Sequence, residues 1–96
     1  MPKGYFIGNI DITDPDGYAK YRDRVPAVVE KFGGRYVVRG GPMTPMEGDE
    51  PLPRSVVLEF PSVEQAHAWY NSEEYQAIVG LRLNASKGNA FIVEGV

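Results

Sequence analysis

The chain has 96 residues, 43% of them hydrophobic and 24% charged, which suits a single globular domain spanning residues 1–96 and excludes a disordered polymer. It has no cysteine, which excludes disulfides, thiolate metal sites and a cysteine nucleophile. The formal net charge is −3 with Lys and Arg scattered along the chain, so neither nucleic acid nor an anionic membrane surface is an expected partner. No stretch has the apolar length of a signal peptide or a bilayer span, and the expected compartment is the cytoplasm.

The first strand is expected over Gly4–Ile12. Tyr5, Ile7 and Asn9 fall on one face and Phe6, Ile10 and Ile12 on the other, so both faces carry apolar groups. Thr13-Asp14-Pro15-Asp16 reads as a helix start, with Thr13 or Asp14 as cap and Pro15 in the first turn. Tyr18, Tyr21, Val25, Val28, Val29 and Phe32 then gather into one apolar arc at 100° per residue. Pro26 should kink or split this helix, and Gly33-Gly34 ends it. A second strand follows over Arg35–Gly41, its paired glycines suggesting a bulge or a close backbone approach, with a resumption through Met43–Glu47 before the turn at 48–53.

A third strand covers Arg54–Phe60. Ser62-Val63-Glu64-Gln65 has the capping-box pattern and opens a short helix with Val63, Ala66, Trp69 and Tyr70 on one side. Asn71–Glu74 interrupts it, and a second piece runs from about Glu73 to Ala85. Lys87-Gly88-Asn89 turns into a last strand, Ala90–Glu94. The order β-α-β-β-α-β predicts a ferredoxin-like α+β fold, a four-stranded antiparallel sheet with its helices on one face. The first and third strands are apolar on both sides, so the bare sheet face needs a cover. The economical cover is the same face of a second copy, giving a homodimer through sheet faces.

Several short stretches are characteristic together: Gly4-Tyr5, Thr13-Asp14-Pro15 with Tyr18, Phe32-Gly33-Gly34-Arg35, Val38-Arg39-Gly40-Gly41 and Glu47-Gly48. Glu59-Phe60-Pro61-Ser62, Ala68-Trp69-Tyr70, Ser72 with Tyr75, Leu81-Arg82 and Glu94-Gly95 complete the set. In these the chain resembles the domain-of-unknown-function 1330 family (DUF1330), within the dimeric α+β barrel group. The resemblance implies the fold and the dimer. The wider group includes cofactor-independent monooxygenases, small isomerases and haem-degrading enzymes, so it offers a menu of activities without choosing one.

Among residues able to carry chemistry, Arg82 stands in the middle of the arc of Tyr75, Ile78, Val79 and Ala85. A guanidinium turned toward a core must be paired or must hold an anion. It reads either as a clamp for a carboxylate or enolate oxygen or as an ion-pair partner of Glu59 or Glu94. Arg39 and Glu59 are single charges inside apolar strands. Glu59 could act as an acid or base in a low-dielectric pocket, or the two could be salt-bridged to each other or to a second subunit. Tyr18, Tyr21, Trp69, Tyr70 and Tyr75 could line a pocket for a flat ligand or belong to the core, with Trp69 the readiest to line a cleft. Asn9 is a lesser candidate for orienting a substrate. His67, the one histidine, lies at the edge of its helical arc. It could ligate haem iron but reads more simply as a surface residue, and no metal or other cofactor is expected.

Two functions are consistent with this. One is a cofactor-independent oxygenase or isomerase with a pocket between helices and sheet. There Arg82 or Arg39 would stabilise an oxyanion, and Glu59 or Asn9 would handle a proton or orient a small organic acid. The other is a non-catalytic dimer that binds a ligand or partner in a regulatory or stress role.

Overall fold

The computed structural model describes all 96 residues. Its elements are β1 (Gly4–Ile12), α1 (Pro15–Lys31), β2 (Arg35–Arg39), β3 (Arg54–Phe60), α2 (Val63–Tyr70), α3 (Glu73–Leu83) and β4 (Ser86–Glu94). The four strands form one antiparallel sheet in the order β2-β3-β1-β4. Strand alternation sends Phe6, Ile10, Leu58 and Phe60 to the helix side, where they join the buried faces of all three helices in a single core. The fold is therefore the ferredoxin-like α+β arrangement that the element order predicts. No helix is long and apolar enough to cross a membrane.

Local chemistry explains most boundaries. Asp14 occupies the N-cap of α1 but its side chain makes no capping bond, and Pro15 opens the helix. At the other end Gly34 N–H donates to Val29 C=O and Gly33 N–H to Glu30 C=O, with Gly33 at φ +79°. That paired pattern closes a helix with a left-handed glycine. Ser62 caps α2 by accepting from Gln65 N–H at 3.1 Å, while the Gln65 side chain reaches across to Phe32 C=O at 2.9 Å, so the box is only half closed. Ser72 repeats the cap on Tyr75 N–H and starts α3 as a new helix.

Four expectations need correction. Pro26 does not split α1, which runs unbroken for 17 residues. Proline forfeits only its own amide, and buried Val25 and Val29 on either side hold the helix to the core. β2 stops at Arg39, because Gly40 takes φ +70° and any Cβ there would run into the Arg54 guanidinium. The glycine is thus a close approach, and the bulge lies earlier, between Tyr36 and Val38. No strand resumes through 43–47, where Pro42 and Pro45 withhold ladder donors. β4 begins at Ser86, four residues before the expected Ala90, because it pairs with β1 back to Ile12 and Gly88 fits in the ladder at φ +145° instead of turning.

Candidate functional site

The helices do not cover the sheet evenly. α2 lies directly on β1, β3 and β4, whereas α1 packs closely against α3. The wedge between α1 and the β2-β3-β1 part of the sheet is a narrow, partly enclosed cleft. Successive turns of α1 supply Tyr18, Tyr21, Arg22 and Val25 to one wall. β1 supplies the floor with Phe6, Gly8 and Ile10, and the missing side chain at Gly8 leaves the middle of the floor open. β2 adds Tyr36 and Arg39, β3 adds Arg54, Val56 and Leu58, and α3 adds Arg82.

This lining holds four of the chain's six arginines and three tyrosines but no Asp, Glu, His or Lys. The chain's ion pairs are Lys3–Glu59, Arg35–Glu59 and Lys31–Glu74, so none of the four cleft arginines has a carboxylate partner. Aromatic faces hold three of them. Arg39 sits over the Tyr36 ring at 4.4 Å, Arg54 over Tyr18 at 5.4 Å and Arg82 over Phe6 at 5.9 Å. Arg54 Nε also donates to the Tyr18 hydroxyl at 3.2 Å. Burial grades from exposed Arg22 and Arg39, through half-buried Arg54, to Arg82 at 8% exposure. Arg82 Nε is enclosed and has no hydrogen-bond partner.

Beside Arg82 the hydroxyls of Tyr21 and Tyr75 share a buried hydrogen bond of 2.8 Å. Burial pushes both phenols up, and it raises Tyr36 against the opposing effect of Arg39. These hydroxyls therefore stay protonated and act as donors at neutral pH. One proton is spent between Tyr21 and Tyr75, and the other is left to donate elsewhere. The cleft thus offers fixed positive charge and hydroxyl donors on apolar walls, and no proton acceptor with a pKa near neutrality.

Of the residues singled out from the sequence, Arg82, Arg39 and Tyr18 line this cleft. Tyr75 backs it through Tyr21. Arg82 is paired with neither Glu59 nor Glu94, which corrects the ion-pair reading. Glu59 and Asn9 lie on the opposite face of the sheet, because they alternate with Leu58 and Phe60 and with Gly8 and Ile10. There Glu59 accepts from Arg35 Nε and from the Tyr5 hydroxyl, both at 2.9 Å, and not from Arg39. Asn9 clamps the β2–β3 connection, bonding both to Leu52 C=O and to Leu52 N–H at 3.0 Å. Trp69 is fully enclosed instead of lining a cleft. α2 lies flat on the sheet and carries it between Phe6, Phe60 and Tyr75, with ring centroids at 5.1, 5.2 and 4.2 Å. His67 is exposed, and no group of three or more His, Cys, Asp or Glu side chains comes together to hold a metal ion.

A family model described as a domain of unknown function (DUF1330) matches residues 3–96. The chain belongs to the DUF1330 family. Among solved structures, the DUF1330 chain is similar to RPA0582, a protein of unknown function from Rhodopseudomonas palustris. The TM-score is 0.73 at 19% identity, over 97% of this chain and 80% of that one. It is also similar to SnoaB, a cofactor-independent oxygenase from Streptomyces nogalater, with a TM-score of 0.64 at 11% identity over 97% and 92% of the two chains. An antibiotic biosynthesis monooxygenase gives a TM-score of 0.54 at 15% identity, over 100% and 97%. Likeness at these identities establishes a common fold. No curated protein matches the sequence.

The sequence alone did not mark Arg22, Arg54 or Tyr36 as site residues of this DUF1330 protein, whereas Tyr21 stood in the aromatic set and does line the cleft. Two of the signals were present. Arg22 is four residues after Tyr18 and borders the apolar arc of α1. Arg54 alternates with Val56 and Leu58 and so shares their face. Nothing in the linear order shows that the β2–β3 hairpin brings Arg39 and Arg54 to the same cleft as α1.

Proposed function

We propose that this DUF1330 protein binds a small organic anion, a carboxylate or an ionised phenol or enol, in the cleft of each protomer of a homodimer. The observation that carries the reading is the set of four arginines without a carboxylate partner, one of them enclosed with an unsatisfied Nε. Unpaired guanidinium forks on apolar walls suit the oxygens of a planar anion. Any reaction in this cleft lacks a base from the protein, since no carboxylate or imidazole lines it. The oxygenase reading therefore requires a substrate acidic enough to ionise in water, whose oxyanion the arginines then stabilise. An isomerase would need a proton acceptor that the lining does not supply. Binding without turnover needs neither.

Thermal denaturation with benzoate and with neutral benzamide tests the reading. Benzoate should raise Tm saturably, by several degrees at about a hundredfold excess over Kd, and benzamide should not. Arg82→Met removes a buried charge that has no carboxylate partner, so it should melt no earlier than the wild type and lose the benzoate shift. Equal shifts from both compounds, or none, would overturn the proposal.

A further inference from the structure

We infer that the ligand of this cleft carries two anionic groups, one at each end, and that a planar dicarboxylate is the class it fits. The inference rests on the organic-anion reading and goes beyond it. One carboxylate has two oxygens and is fully met by a single guanidinium fork with a hydroxyl donor. Arg82 and the Tyr21 hydroxyl, which both line the cleft, make such a set at the buried end. The outer end carries three further guanidinium groups, Arg22, Arg39 and Arg54, again without an acid. Like charges gathered there repel one another, and no carboxylate pairs with them. Arg39 and Arg54 are nonetheless fixed on the Tyr36 and Tyr18 rings, and Arg54 is tied by a hydrogen bond, so they are held in place instead of spreading into solvent. The remainder of the lining is largely apolar, with Ile10, Val25 and Leu58 among it. Two anion seats on an apolar lining match a flat hydrocarbon frame bearing a carboxylate at each end.

Calorimetric titration at constant ionic strength tests this with benzoate, phthalate, isophthalate and terephthalate as probes. At least one dicarboxylate should bind about tenfold or more tightly than benzoate, as one added charge-assisted pair would give. Removing the outer, exposed charges with the double variant Arg22→Gln/Arg39→Gln should erase that advantage, so that every dicarboxylate binds the variant within about twofold of the affinity benzoate has for the same variant. Arg24→Gln, on the same helix but outside the cleft, should preserve the advantage, which separates a built seat from general attraction. Benzoate binding as tightly as every dicarboxylate would overturn the inference while leaving the organic-anion reading intact. So would a dicarboxylate advantage that survives the double variant. Failure of all four probes would count against both.

Discussion

An arginine side chain enclosed without an acid is costly, because desolvation of the charge is not repaid by attraction to a partner. Helical periodicity already exposes this conflict at Arg82, which takes a position where the pattern wants an apolar residue. What periodicity leaves open is the partner, and the structure answers with Phe6, Tyr21 and Tyr75 in place of Glu59 or Glu94. The opposite case is Glu59. Its strand is apolar on both faces, so alternation alone does not say which face the helices cover. Its carboxyl is held below the ordinary 4.5 by the hydrogen bonds from Arg35 and then Tyr5, whose own hydroxyl is raised by donating to Glu59. A carboxyl with a depressed native pKa adds stability that is fully present above its unfolded value and disappears as pH falls through the native one. Glu59→Gln should therefore lower Tm at about pH 7, with the gap to the wild type closing between about pH 5 and pH 3. Arg35 is well exposed, so the gap should be modest and should shrink with salt. Melting curves of both proteins across that range check it, and a gap that widens toward acid would contradict the assignment.

At the scale of elements, what the sequence made legible was local and what it hid was tertiary. The break between α2 and α3 shows in Asn71-Ser72, and Ser72 does cap the second piece. The end of α1 shows in Gly33-Gly34 because helices commonly close on a left-handed glycine, as Gly33 does. By contrast, Pro26 looks like a breaker until the packing of Val25 and Val29 is known. Gly88 looks like a turn until β1 is seen running beside it to Ser86. The site was harder to read for the same reason. Arg82 and Arg39 are recognisable as misplaced charges, but the cleft itself arises because α1 leans on α3 and leaves the sheet, a packing choice that no local pattern records.

Across the whole molecule, the sheet face away from the helices carries a continuous apolar band. Ile7 lies between Val57 and Phe91 in register, with Val38 and Val93 beyond them. Phe91 is 53% exposed and Val93 43% exposed, and such a band is costly to leave in water. The homodimer closed through this face that we propose would cover it while leaving each cleft on the helix side free. Light scattering at micromolar concentration should give about twice the 10.6 kDa chain mass, and Phe91→Lys should return the protein to a monomer. A wild-type monomer would sink that arrangement without touching the cleft. In the complex we propose, the cleft seats an organic anion on Arg82. Nuclear magnetic resonance of the arginine Nε–H groups during a benzoate titration reads it most directly. The Arg82 Nε–H signal should move saturably, while that of Arg24 stays in place. An Arg82 signal unchanged at benzoate concentrations that saturate other resonances would contradict the claim.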